Sequence, residues 1–511
     1  MITLEAKVKI PFLWGKAVFK KSSWSQINLI VGPNGSGKTL LAQKLAEQFK
    51  EAGYNIKFLN AERKYKDQIF ILKDNEKVRL KIEKVLSSMF GKSIKFIEDI
   101  DGTLIPIVEN KAWNVEYMLE DAECHGVQEI ISLLISLYDV ESGDVLFIDE
   151  PEQHLHPQFQ TFFMNEIRKE ASYSNNRFFF LITHSPFFID LRTPEDLTGV
   201  ICCHVNQVPS NIEELSEEDD ALFRRFLPRF NTYHKQFFFS DNQIFVEGYT
   251  DQQMFTYLLN YIENDYAAAG TGIIDVGGKD ELGVFCKVCS LLGTNGRIIT
   301  DLDSLFAGKL RDVFCNDQRV LGWMEKQKEK QTDFYSSIFS ARELENEVTL
   351  GRLILRLERY LTQMGQDFQK QAEDRKLSAP LQEFNSRLEL LRNKYENAEA
   401  IDTYKTVLLQ GVCNAEAELE KILSPAVAKN LPVIKNLANF IFAGAEAANV
   451  YILHRGCIEH YYSQTRLKYM PVSGKDKLFR GELDFIQGAH KKSVRKNYKE
   501  LIELLEKATC K

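Results

Sequence analysis

The sequence predicts an α/β protein made of two sheet-bearing units, the second interrupted by a helical insertion. Three observations carry this prediction. Apolar runs of strand length ("INLIVG", "IKFLN", "DVLFID", "RFFFLITH") alternate with amphipathic stretches through residues 1–205, the pattern of a mostly parallel sheet covered by helices. A second series begins at "FFFSDNQIFVEG" and includes "GRIIT". Between 341 and 453 the period turns helical, as in "LGRLILRLERYL" and "LQEFNSRLELLRNKYENAEA", with apolar residues three and four apart. The boundaries that follow are a first unit at 1–205, an acid-rich linker at 206–236 and a second α/β core at 237–340. A helical subdomain at 341–453 and a completing segment at 454–511 end the chain. A coiled-coil arm is the alternative for the helical part, but the heptads are short and "LSAPL" breaks them.

Length and composition bound the function. A chain of 511 residues has room for two or three cores. Its net charge of −8 gives no bulk signal for nucleic acid, so a DNA partner must be argued from local patches. No apolar run is long enough to span a bilayer, and "MITLEAKVKIPFLW" lacks the pattern of a secretory leader. The nine cysteines are scattered, and "CKVC" has no second pair near it. Reduced thiols, no zinc, no membrane partner and a cytoplasmic location are the expectations.

The first unit carries a phosphate-binding pattern. "GPNGSGKT" (Gly32 to Thr39) follows the strand "INLIV" and precedes a helix. Gly32, Asn34, Gly35, Ser36 and Gly37 bring backbone N–H groups around phosphates at a helix N-terminus. Lys38 is placed to reach the β/γ-phosphates of ATP, and Thr39 to hold Mg2+. "VLFIDEPEQHLHPQ" ends another buried strand in Asp149, suited to the Mg2+, and Glu150, suited to polarising the attacking water. "LITHSP" offers His184 to the γ-phosphate. His154 and His156 read as loop residues near the second acid rather than as metal ligands.

The second unit carries acids at strand ends. "IFVEGYTDQQMF" sets Glu247 at one end and Asp251 four residues on; "GRIITDLDSLF" sets Asp301 and Asp303 at another. In an extended chain residues i and i+2 share a face, so Asp301 and Asp303 would repel by roughly 4 kcal/mol at ~4 Å and an effective dielectric near 20. Mg2+ or Mn2+ would turn that repulsion into attraction, and four such carboxylates suit two-metal phosphodiester chemistry. "DVGGKDEL" supplies glycines for close backbone approach and Lys279, which reads equally as a phosphate contact or a surface residue. Glu343, Glu345 and Glu347 in "ARELENEV" have the spacing of a solvated helix face, with one of them open as a further ligand. "HKKSVRKNYK" (His490 to Lys499) and, more weakly, "ERKYK" (Glu62 to Lys66) are the basic stretches available to a DNA backbone.

Taken together, "GPNGSGKT", "FIDEPEQHLHP" and "THSP" resemble the ABC-type ATPases of the chromosome-maintenance and repair branch. That resemblance implies a dimer or higher oligomer closing on ATP through the ATPase domains. It implies a signature loop aligned with "ECHGVQE", contributing His125 and Gly126, and a sensor role for Gln68. His125 stands where the family usually has Ser, which favours slow turnover or a binding-only switch. "VEGYTD … DVGGKDEL … ITDLDS" resembles the Toprim domain of topoisomerases, primases and nucleases. The whole order, with "ILHRGCIEHYY" and "VSGKDKLFR", resembles the OLD (overcoming lysogenization defect) family of ATP-dependent nucleases, which includes the Gabija nuclease subunit and retron-associated effectors of anti-phage defence. The resemblance implies Glu459 as a further metal ligand and Lys475 as a cation near the scissile phosphate. It also implies a restraining partner, for which a reverse transcriptase with its RNA–DNA product is one option. An ATP-switched scaffold with a weak metal site is the competing reading.

Overall fold

The computed structural model describes residues 4–509 except 101, 174–175, 233, 240–241, 265–267, 269, 295, 307–308, 331–347, 374 and 394–397. The chain divides into two compact units, Met1–Ser240 with Leu291–Thr294, and Asp241–Ser290 with Asn295–Lys511.

The first unit opens with a short antiparallel ribbon, β1 (Ala6–Val8) and β2 (Phe19–Lys21). Its central sheet contains β3 (Ile27–Val31) and β4 (Asn55–Leu59). A separate antiparallel sheet follows, of β5 (Ser93–Glu98), β6 (Leu104–Asn110) and β7 (Val115–Met118). β8 (Asp144–Asp149), β9 (Phe178–Ile182), β10 (Val200–His204) and β11 (Gln207–Asn211) then complete the central sheet in the order β11-β10-β3-β9-β8-β4. All its pairings are parallel except β10 with β11. β8 and β9 are buried at every position, which is why they read as unbroken apolar runs rather than as alternation. At the centre of this core Phe147 stacks on Phe180, and Phe49 meets both rings edge-on.

The stretch expected to be a linker from 206 is folded. Residues 207–211 form the edge strand β11, and Glu217–Phe226 is a helix whose N-cap Ser216 accepts from the Asp219 N–H. The acids of "SEEDD" occupy the first turn of that helix, where the macrodipole favours them.

The second unit is built on an all-parallel sheet ordered β13-β12-β14-β15: β12 (Asn242–Val246), β13 (Thr271–Asp275), β14 (Gly296–Thr300) and β15 (Val450–Ile452). β15 is contributed from beyond the helical region, so a single sheet joins both sides of the insertion. Ile244 and Val246 share a core with Phe479, Tyr498, Leu501 and Leu505 from the C-terminal helices. Helices Leu350–Ala372, Ala379–Arg392 and Ala398–Ile422 pack as a compact layer, with Phe368 and Phe384 5.0 Å apart. Gly411 makes this close packing possible, since a Cβ there would stand 2.4 Å from the Phe384 ring. Helix Ala398–Ile422 also packs on the turn Leu302–Leu305 that carries Asp303. Among the described residues no helix is long and apolar enough to cross a membrane.

Candidate functional site

In the first unit, parallel pairing brings three strand ends side by side, because β9 lies between β3 and β8 in register. Gly32 follows β3, Thr183 and His184 follow β9, and Asp149 ends β8, all at the carboxyl edge where α/β sheets bind ligands. Gly32 (φ 143°), Gly35 (φ 75°) and Gly37 (φ 83°) take backbone angles that side chains disfavour, and Gly37 caps the helix Lys38–Glu51. A Cβ at Gly32 would stand 2.3 Å from the Cys203 carbonyl. Asn34 is exposed and Ser36 buried, its hydroxyl donating to Pro33 O at 2.8 Å. The Lys38 ammonium donates to the carbonyls of Gly32 (2.9 Å) and Pro33 (2.8 Å). Burial pushes it down to about 8, against the pull of Cys203, Glu150, Glu152 and Asp149. Thr39 Oγ1 donates to Asp149 Oδ1 at 3.2 Å, so the two groups expected to hold Mg2+ are adjacent. Burial holds the Asp149 carboxyl above its usual range. His184 is pushed down to about 4, by burial and then by the Lys38 charge, and is therefore neutral near pH 7.

In the second unit, β12 and β14 pair directly, which sets Glu247 beside Asp301. Carboxylate oxygens of Glu247, Asp301 and Asp303 all lie within 4.8 Å of one another. The pleat does not bring the two aspartates together, as the sequence reading supposed: β14 ends at Thr300, Asp301 caps a 3-10 turn over Leu302–Leu305, and Asp303 lies inside that turn. Glu247 Oε1 accepts from Thr300 Oγ1 (2.7 Å), the Asp301 N–H (3.0 Å) and Ser304 Oγ (3.4 Å), which fixes its position. Lys279 donates to Asp303 Oδ2 at 2.9 Å, so it is a partner of the acids and not a free surface lysine.

A second cluster adjoins this one. The Lys475 ammonium lies 3.4 Å from Glu459 Oε1, and Glu459 is fully buried. Asp251 is pushed up to about 7 by burial, then by the charges of Glu247 and Glu459. Burial and the charges of Glu247, Asp251 and Asp303 raise Asp301 well above the carboxylate range, with Lys475 opposing. Asp303 Oδ1 and both Glu459 oxygens are buried without a hydrogen-bond donor. Five carboxylates thus face two ammonium groups, and of the three oxygens without a hydrogen bond only Glu459 Oε1 has an ammonium near it, at 3.4 Å. An all-oxygen set of this kind fits Mg2+ or Mn2+.

Several expectations need correction or completion. The Gln68 carbonyl oxygen, the group that would sense a cation, is taken by the hydroxyls of Ser132 (3.1 Å) and Ser136 (3.3 Å). In "ERKYK" the Arg63 side chain is 2% exposed and paired with Glu129, which leaves only Lys64 and Lys66, the latter paired with Glu120, as cations at the surface. Within "HKKSVRKNYK", Val494 and Tyr498 are buried, while Lys491, Lys492, Lys496 and Lys499 stay exposed. Glu343, Glu345 and Glu347 lie outside the described residues. His125 begins the helix His125–Tyr138 with its ring 5.9 Å from that of His154, and a Cβ on Gly126 would stand 2.8 Å from the His154 carbonyl. Sequence reasoning missed Glu152, which accepts from Thr183 Oγ1 (2.7 Å) and the His184 N–H (2.5 Å). It also missed Thr300 and Ser304. Only the third acid in "DEPE" hinted at Glu152, and nothing local marked the hydroxyls.

Residues 238–303 match the model of the Overcoming lysogenization defect protein-like Toprim domain. Residues 28–135 match an AAA domain of the dynein-related subfamily, and 125–190 the AAA domain described as putative AbiEii toxin, Type IV TA system. The chain thus joins AAA-type ATPase segments to an OLD-like Toprim domain. It is 30% identical over 169 residues to the OLD nuclease of Thermus scotoductus, an alignment covering 32% of this chain and 31% of that protein. It is 25% identical over 134 residues to Endonuclease GajA of Bacillus cereus, covering 26% and 22%. The chain therefore spans less than a third of the length of these curated relatives. Among solved structures, Stu0660 of Streptococcus thermophilus aligns at 14% identity over 45% of this chain and 86% of that one, with a TM-score of 0.26, too low to support any inference.

Proposed function

We propose that this protein is an OLD-family, ATP-gated, divalent-metal-dependent DNA endonuclease or nickase serving as a toxic effector of bacterial anti-phage defence. The observation that carries the reading is the convergence of Glu247, Asp301 and Asp303 within 4.8 Å, beside Asp251, Glu459 and Lys475. The names of its relatives, an OLD nuclease and an endonuclease, point the same way. Glu247, Asp301 and Asp303 would hold one cation, Asp251 and Glu459 a second. Such ions supply activation of water and stabilisation of the leaving oxygen. Lys475 reaches the same volume with a positive charge suited to the scissile phosphate. ATP binding at Gly32–Thr39, with Thr39 and Asp149 on Mg2+ and Glu150 and His184 toward the γ-phosphate, would close two or more ATPase domains. A partner, a retron reverse transcriptase with its RNA–DNA product among the options, would restrain cutting until infection.

The test is Asp301→Ala combined with Asp303→Ala, assayed on plasmid DNA with Mg2+ or Mn2+ and ATP. Cleavage should vanish while ATP binding survives; a double variant that cuts at the normal rate would end the site assignment. One observation favours the competing scaffold reading, namely His125 in place of the family's usual serine. That reading predicts no cleavage of plasmid, phage DNA or transfer RNA under any nucleotide and metal condition.

A further inference from the structure

The helix carrying His125 and Gly126 is tied to the loop carrying Glu150 by a single buried guanidinium that the reading above leaves unused. Arg63 follows β4, and its side chain is 2% exposed. Its Nη1 donates to the carbonyls of Asp149 (2.7 Å) and Asn60 (3.1 Å), its Nη2 donates to the carbonyl of Glu150 (2.8 Å), and its Nε donates to the Glu129 carboxylate. Glu129 is itself buried, in the second turn of the helix His125–Tyr138.

What Arg63 holds is strained. Glu150 has φ +47° and His154 φ +58°, a left-handed backbone that non-glycine residues enter at a cost of about 1 kcal/mol or more. Such a conformation persists only where its surroundings impose it. The Glu150 N–H is fixed by Ile182 O at 2.9 Å, and its carbonyl by Arg63. The direction in which the Glu150 carboxylate leaves the strand therefore depends on Arg63. Lower down the same loop, Gly126 lies so close under the His154 carbonyl that no Cβ fits. The loop 150–154 is thus joined at two points to the helix His125–Tyr138.

We propose that Arg63 is a positioning residue for ATP hydrolysis: it fixes Glu150 in its left-handed conformation and, through Glu129, makes that conformation depend on the helix that begins at His125. This inference rests on the ATPase part of the proposed function. A lysine at 63 keeps a charge but cannot bridge two carbonyls and a carboxylate together. R63K should lower kcat for ATP roughly 10- to 100-fold, the scale of a catalytic group misplaced by about 1 Å, with KM for ATP within about twofold.

Because R63A would strand the buried Glu129 charge and risk unfolding, the second variant is R63M/E129L, which replaces the pair by apolar groups of similar size. It should fold, bind ATP and show the same loss of kcat. In both variants amide exchange over residues 149–156 should quicken by about tenfold or more. Wild-type kcat in both variants, or a raised KM with kcat unchanged, would overturn the proposal. If the unaltered chain proves not to hydrolyse ATP, the ATPase reading fails instead, and exchange over 149–156 decides the strut alone: unchanged exchange overturns it.

Discussion

Glu459 and Lys475 make opposite predictions about stability, and the difference separates a cation site from an ordinary ion pair. Glu459 is fully buried with Lys475 at 3.4 Å, and Lys475 is 44% exposed. At that separation and an effective dielectric of 20, the attraction is about 5 kcal/mol before desolvation and screening are counted. The exposed end of Lys475 is screened by water, so the loss in Lys475→Met should be about 2 kcal/mol, below the 3–5 typical of breaking a fully buried pair. Urea denaturation in EDTA should therefore show Lys475→Met destabilised by about 2 kcal/mol, and Glu459→Gln neutral or slightly stabilised, because the desolvation cost of the buried carboxylate offsets its attraction to a half-exposed ammonium. Adding Mn2+ should stabilise Lys475→Met more than the unaltered chain, since the cation replaces the lost ammonium; at a hundred times Kd the binding term alone is about 2.7 kcal/mol. Lys475→Met as stable as the unaltered protein in EDTA, or Glu459→Gln falling as far as Lys475→Met, would refute the reasoning.

Gly126→Ala forces a Cβ to 2.8 Å from the His154 carbonyl, and thermal denaturation should show a loss of about 1–3 kcal/mol from overpacking. Glu152→Gln keeps one acceptor for the pair Thr183 Oγ1 and His184 N–H; about 1 kcal/mol of stability should go, with ATP turnover slowed in a steady-state assay. His184, pushed down to about 4 from 6.5, binds fewer protons folded than unfolded between those values. Its contribution is full above pH 6.5 and falls away toward pH 4, by about 1–2 kcal/mol once the screening of a half-buried ring is counted. The stability difference between the unaltered chain and His184→Gln, followed by urea denaturation, should therefore be flat above pH 7 and shift against the unaltered chain as the pH drops.

Where a motif ends an apolar run, its placement was legible. Gly32 after β3, Asp149 at the end of β8, Glu247 after β12 and Asp301 after β14 all stand at strand ends because the runs before them can be satisfied only as buried strands. The side chains that organise those ends were not legible. Arg63 sits in "ERKYK", which looks like a solvated run; its burial depends on Glu129, 66 residues later, and on carbonyls of a loop with no local signature. The edge strand "QVPSN" is polar and contains a proline, which an edge tolerates and a pattern search rejects. Asp301 and Asp303 were paired for the wrong reason, because periodicity says nothing of where a strand stops and a 3-10 turn begins.

The two sheet edges use one geometry and opposite charge. In the first unit buried cations meet mainly neutral acceptors: Lys38 is held by two carbonyls, and Arg63 by three carbonyls beside its one carboxylate. A phosphate arriving at Lys38 replaces neutral partners by a charged one, and charge-assisted hydrogen bonds are roughly twice as strong as neutral ones. In the second unit the buried charge is anionic: two hydroxyls and one N–H steady Glu247, Lys279 and Lys475 reach one oxygen each of Asp303 and Glu459, and Asp303 Oδ1 and Glu459 Oε2 are left without donors. Burying such oxygens costs several kcal/mol unless something positive meets them. A fold that carries that cost beside strands whose cores are fully packed has no structural use for it. The first edge is therefore suited to bind an anion, and the second to bind cations.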